Sequence, residues 1–152
     1  MENLERILRA HAFLEHLSAE QAALIVGCAK NVRFAPGQFL MREGEIADAF
    51  FLLRRGRVAL EVAVPGRGPI QMESLAAEDM VGLSWLFPPY RVNVDARAVE
   101  PVVALAFDGK CLREKMESDH DLGYALLRRV VTEVTKRLHR VRLQRLDLFK
   151  AG

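Results

Sequence analysis

The side chains able to do chemistry in this chain are few, and most stand in poor company. Ser84 lies in Gly82-Leu83-Ser84-Trp85-Leu86, which lacks the second glycine that sharpens a nucleophile elbow. It is better suited to capping a helix or donating a hydrogen bond into a pocket. Glu78 and Asp79 are adjacent acids with no partner carboxylate at a defined spacing, so solvated or capping roles are expected. His11, His16, His120 and His139 form neither i, i+4 pairs nor Cys/His clusters, the patterns that hold zinc. No metal site is expected, and the histidines read as surface or capping residues. Cys28 and Cys111 are too few for a disulfide framework or a structural zinc site. Each sits among apolar neighbours in a helix-like context, so two buried free thiols are expected. With no nucleophile–base pair, the chain does not read as an enzyme. What remains is a dense segment from Gly82 to Asn93, rich in Trp85, Phe87, Pro88, Pro89 and Tyr90 and flanked by Arg91. Its chemistry is that of binding.

The elements that must position this segment are legible from periodicity. Leu4, Ile7 and Leu8, then Phe13, Leu14 and Leu17, recur at helical spacing, and Ser18 with Gln21 makes a capping box for a helix to about Lys30. The period then drops to two. Val32 and Phe34, Phe39 to Met41, Phe50 to Arg54, Val58 to Val64, Ile70 to Leu75, Val92 to Ala98 and Val102 to Phe107 read as short strands. Turn signals punctuate them at Pro36-Gly37, Gly44, Gly56 and Pro65-Gly66-Arg67-Gly68-Pro69. Many short antiparallel strands at this spacing predict a closed or sandwiched roll. From Asp108 the chain is helical again, with a short segment at about 110–117 and a long one from about Asp121 to Leu148.

Between Phe34 and Val62 the punctuation is Phe34, Pro36-Gly37, Phe39-Leu40, Glu43-Gly44, Asp48, Phe50-Phe51-Leu52, Gly56, Val58, Leu60, Val62. It resembles the first half of the cyclic-nucleotide-binding domain of the catabolite-activator, FNR-like and protein-kinase regulatory-subunit type. The resemblance implies an α+β, mainly β fold: an antiparallel double-stranded β-helix, or jelly-roll-like β-roll, with N-terminal helices and a long C-terminal helix. One domain over residues 1–152 follows, divided as helices at 1–30, roll at 31–107 and helices at 108–150. It also implies a phosphate-binding cassette, in which a glycine and a glutamate open a one-turn helix and a Pro-Arg-x-Ala-Thr-type strand supplies the arginine. Leu75 to Gly82 resembles the strand entering that cassette. A gapless placement puts Gly82 and Ala98 in register but sets Leu83 on the glutamate, Arg91 on the proline, Val92 on the arginine and Asp95 on the Thr/Ser. A phosphate at Val92 would lose hydration without a matching charge, and Arg91, one residue away on a strand, points to the other face. The candidate ligand residues are therefore Gly82, Leu83, Ser84, Trp85, Arg91, Val92 and Asn93, around a remodelled, apolar pocket. Trp85 either closes that pocket or packs beneath it. No cofactor is fixed by these residues: the candidates are a cyclic nucleotide held in a non-standard way, another small molecule, or none.

Charge patterning and the last helix bear on partners. The net charge is +2, but from Arg128 onward eight Lys/Arg face two acids, a balance of +6, so the remainder carries −4. Leu127, Val131, Val134, Leu138, Val141, Arg145 and Leu148 alternate spacings of four and three, a heptad seam with one arginine in it. A helix of that span is roughly 40 Å long, longer than a small roll covers, so a homodimer through this seam is expected. A small-molecule effector in the pocket and a protein partner for the basic helix are the other expected partners. The arginines occupy several faces rather than one phosphate-tracking stripe, and no recognition helix follows for a major groove, so DNA is not expected. No apolar run approaches membrane-spanning length, no signal-peptide core opens the chain, and a cytoplasmic location is the default expectation. The function expected is a sensory or regulatory module. The alternatives are an interaction module acting through the basic helix, or a transcription regulator without its DNA-reading domain.

Overall fold

A computed structural model of the chain describes residues 3–151, with side-chain placements for residues 3–147. Helix α1 (Leu4–Ala10) is capped by the Asn3 side chain, and α2 (Ala19–Val26) carries the full Ser18/Gln21 capping box. Eight antiparallel strands follow: β1 (Ala29–Phe34), β2 (Phe39–Met41), β3 (Ala49–Arg55), β4 (Val58–Val64), β5 (Gly68–Leu75), β6 (Met80–Val81), β7 (Asp95–Ala98) and β8 (Val102–Asp108). Helices α3 (Gly109–Ser118) and α4 (His120–Ala151) complete the chain. The strands form two four-stranded sheets in the orders β1-β8-β3-β6 and β2-β7-β4-β5. This is the mainly β roll with flanking helices that the residue pattern implied.

Both faces of the first sheet are buried, which explains why β3 reads as a continuous apolar run. Phe51 and Leu53 point between the sheets, joining Val58, Leu60, Val81 and Val102. Phe50 and Leu52 point the other way, into a second core built with Phe13, Ile25, Trp85, Phe107, Leu112 and Leu126. The alternation of period two thus divides one strand between two cores. The second sheet keeps an outward face, and there Arg97 of β7 grips Glu61 of β4 through two hydrogen bonds of 2.8 and 3.0 Å. That bidentate pair holds the carboxyl of Glu61 below its usual range: the hydrogen bonds from Arg97 dominate, burial opposes them, and the charge of Arg97 adds to them.

Three expectations are corrected. Cys28 and Cys111 are not free thiols but a disulfide, with Cα atoms 5.7 Å apart. Helical context hid this, because the bridge joins the end of the N-terminal helical segment to the first turn of α3, 83 residues away. The second helix ends at Val26 rather than near Lys30, since Gly27 closes it and Ala29–Phe34 is taken up by pairing with β8. Residues 92–94 alternate in sequence but lie outside β7. Val92 instead exchanges backbone hydrogen bonds with the turn at 44–45: Gly44 donates to it and Glu45 accepts from it. That detour opens the space in which the cassette sits.

Candidate ligand cavity

The cassette is built on Gly82. Its φ of +102° is one that side chains rarely adopt, and a Cβ there would sit 2.9 Å from the Met41 methyl. The left-handed kink turns the chain off β6 into a single 3₁₀ turn at Ser84–Leu86. Leu83 occupies its N-cap, and no side chain caps the turn; Ser84 is free to serve the adjacent cavity instead. Trp85 faces the opposite way. It is 1% exposed and stacks on Phe50 at 4.7 Å, and Phe50 stacks on Phe107 at the same spacing. Of the two roles open to Trp85, packing beneath the cassette is the one realised. Its indole Nε1 is left without a hydrogen-bond partner.

Arg113 of α3 holds the cassette from outside: it donates to the Trp85 carbonyl, and its guanidinium lies 4.2 Å over the Tyr90 ring. The turn is therefore fastened to the helix that leads directly into α4. Arg91 is exposed and points away, its Nη1 3.3 Å from the Gly44 carbonyl.

Gly82, Leu83, Ser84, Val92 and Asn93 come together on one wall of a cavity of about 370 Å³, within the range of small-molecule sites. Trp85 and Arg91 do not line it. The lining also includes Leu60, Met72 and Glu73 of β4 and β5, and Arg137 of α4. A larger depression of about 750 Å³ lies between α1 and the end of β3, but it holds no cassette residue. His11 borders that depression with a structural task, its Nε2 donating to the Leu53 carbonyl at 3.0 Å while its Nδ1 accepts from Phe13 N–H at 3.1 Å.

Arg137 adds a cation to the pocket that the sequence led us to expect as apolar. Leu122, Leu126, Val130 and Arg137 share the inward face of α4, and Arg137 is 9% exposed. One guanidinium nitrogen, Nη2, has no hydrogen-bond partner. Burial pushes its pKa down, while Glu73, Asp79 and Glu133 favour the cation and Arg140 opposes it. An arginine so placed stays charged. The cation was hidden by the heptad pattern, which drew attention to the outer stripe and made this arginine one of several flank charges. The signal was present: Arg137 follows Val130 by seven residues, on the stripe begun by Leu122 and Leu126.

The outer stripe lies where its spacing put it, away from the roll. Leu127, Val131, Val134, Leu138 and Val141 are between 36% and 62% exposed. The side chain of Leu148 falls outside the described residues. Among the described residues no helix is long and apolar enough to cross a membrane, and no group of three or more His, Cys, Asp or Glu could hold a metal ion.

A two-sheet roll with a glycine-kinked 3₁₀ turn beside a cavity that a C-terminal helix also lines defines a class of regulatory ligand-binding domains. The family model for the cyclic nucleotide-binding domain matches residues 31–119, and the chain belongs to that family. A Geobacter metallireducens protein assigned as cyclic nucleotide-binding is 31% identical, with a TM-score of 0.80 over 91% of this chain and 100% of its own. A cyclic nucleotide-binding domain from Methylobacillus flagellatus shares the fold at 17% identity, TM-score 0.78, over 95% of this chain and 81% of that one. DNR from Pseudomonas aeruginosa shares it at 23% identity, TM-score 0.73, over 95% of this chain and 65% of its own. Among curated proteins, isozyme 1 of the Drosophila melanogaster cGMP-dependent protein kinase is 29% identical over 114 residues, which are 74% of this chain but 14% of the kinase. The corresponding kinase of Eimeria tenella is 29% identical over 59% of this chain and 8% of its own length. The chain thus spans a small part of the curated relatives it matches.

Proposed function

We propose that residues 1–152 act as one sensory module, without catalysis, whose effector occupies the cavity at Gly82–Asn93 and whose output is the position of α4. One observation carries the reading: the same cavity is lined by Leu83 and Ser84 of the cassette turn and by Arg137 of α4. A ligand touching Leu83 and Ser84 also touches the output helix, so it binds one packing of α4 more tightly and shifts the population toward it. Arg113 adds a second linkage, from the Trp85 carbonyl through α3. The effector class is a cyclic nucleotide or a molecule of similar size, and the outer stripe of α4 pairs with a second copy. The reading includes a cytoplasmic location, where thiol pairs are mostly kept reduced; the Cys28–Cys111 bridge then marks two thiols close enough to be oxidised.

The test is a thermal-shift titration with cyclic AMP and cyclic GMP, paired with native mass spectrometry of the purified protein. A midpoint that climbs with ligand concentration, from a dimer, supports the sensor. A monomer indifferent to millimolar ligand favours a second reading, an interaction module acting through the basic end of α4. That reading is supported by the exposure of Arg140, Arg142 and Arg145.

A further inference from the structure

We propose that Arg137 of α4 supplies the counter-charge for an anionic ligand in this cavity, so that the output helix itself reads the ligand's charge. The proposal rests on the sensor reading and adds to it the ligand's charge and the residue that recognises it. Three observations carry it. The position aligned with the cassette arginine is Val92, buried and apolar. Arg91 is turned outward to Gly44. Arg137 lines the cavity, is 9% exposed, and has an Nη2 without a partner.

A buried guanidinium with an unused donor is costly to keep unless something accepts from it. The neighbouring charges do not fully answer that need. Asp79 accepts from the Ala76 amide at 2.9 Å and pairs with Arg140 at 3.9 Å. Glu133 is engaged by Arg129 at 3.4 Å and Lys136 at 3.5 Å. Glu73 is the carboxylate that shares the cavity with Arg137. Together they offer one cationic donor and one anionic acceptor across a largely apolar space, with Ser84 and Asn93 also in the lining. The ligand class that fits is an organic monoanion with a ring body, carrying a neutral hydroxyl or amine for Glu73. Cyclic nucleoside monophosphates belong to this class, as do ring-bearing carboxylates.

The mechanical consequence differs from that of a cassette arginine. An anion held at position 92 would be held by the roll alone, whereas one held at Arg137 ties the middle of α4 to the cassette. Occupancy then locks the helix directly.

The experiment compares the full chain with its Arg137→Met, Arg137→Lys and Arg91→Met variants, by calorimetry and thermal shift. The probes are cyclic AMP, cyclic GMP, their neutral counterparts adenosine and guanosine, and inorganic phosphate. The expected result is that Arg137→Met weakens the anionic probes roughly tenfold or more while leaving the neutral nucleosides unchanged, the loss expected of a charged hydrogen bond. Arg137→Lys restores part of it, and Arg91→Met changes nothing. Cyclic nucleotide affinity equal in wild type and Arg137→Met, or a loss confined to Arg91→Met, overturns the inference and leaves the sensor reading intact. If neither cyclic nucleotide binds the wild type, the sensor reading fails in its cyclic-nucleotide form. Inorganic phosphate then decides: saturable stabilisation that vanishes in Arg137→Met supports the anion site, and its absence overturns it.

Discussion

Trp85 offers the sharpest test of how the cassette is held, because several opposing effects meet in one side chain. It is 1% exposed and part of the aromatic stack Trp85–Phe50–Phe107. Truncation to alanine removes that burial and leaves a cavity, at a cost of about 3–5 kcal/mol for an aromatic core residue. Against this, the wild type buries an indole N–H with no partner, a penalty of about 1–2 kcal/mol that truncation relieves. The net expectation for Trp85→Ala is a loss of roughly 3 kcal/mol, or a melting temperature lower by about 6–12 °C for a domain of this size. Trp85→Phe keeps a ring against Phe50 and deletes only the orphaned donor and some volume, so its cost should stay under about 1.5 kcal/mol. Thermal and urea denaturation followed by far-ultraviolet circular dichroism would measure both. The chain has a single tryptophan, so iodide quenching of the wild type adds an independent check: a residue packed beneath the cassette stays shielded with or without ligand. Trp85→Phe as damaging as Trp85→Ala would show that the indole N–H has a partner. Quenching relieved by ligand would place Trp85 in the cavity wall. Either result refutes the packing described here.

Three further expectations follow from other parts of the structure. Reduction of Cys28–Cys111, or its replacement by serines, should cost about 4.5 kcal/mol in the chain-entropy picture for a closed span of 83 residues, read as a melting temperature that falls with reductant in step with thiol titration. Glu61→Gln should cost roughly 1–2 kcal/mol by weakening the pair with Arg97. Because the folded-state pKa of Glu61 is depressed below 4.5, its contribution is present above that pH and lost as pH falls through the folded value. The stability gap between wild type and variant should therefore be flat near neutrality and close in acid. On the outer stripe of α4, Val131→Glu with Leu138→Glu should convert a dimer to a monomer in light scattering without lowering the melting temperature of the isolated chain, since both side chains are exposed there, at 62% and 47%.

Much of the roll was legible because its positions answer to simple physics. Alternation marked β4 and an apolar run marked β3, and Gly82 matched the cassette pattern at the corner where the structure gives it a φ of +102°. The departures at Leu83 and Val92 were equally plain, and both residues line the cavity. Long-range pairing was not legible. Cys28 and Cys111 meet only because α2 and α3 pack side by side against the first sheet, and local context carries no trace of that. Residues 92–94 kept a strand-like alternation yet left the ladder, because the turn at 44–45 takes their backbone hydrogen bonds.

Helix α4 shows why a charge can be read correctly in sequence and still be misplaced in function. A helix whose apolar residues recur at three and four can carry two stripes, and the denser one, here Leu127 to Val141, hides the other. The inward stripe spends its first turns on Leu122, Leu126 and Val130 against the aromatic core, then reaches the cavity at Arg137. Arg137 instead brings to the cavity a buried Nη2 without a hydrogen-bond partner, and in the proposal above an anionic ligand supplies the acceptor. The exposed outer stripe begins on the same turns, so Leu138, the residue after Arg137, belongs to the seam expected from the sequence. In the sensor proposed above, a ligand held at Arg137 would therefore bear on the same helical turn that carries Leu138.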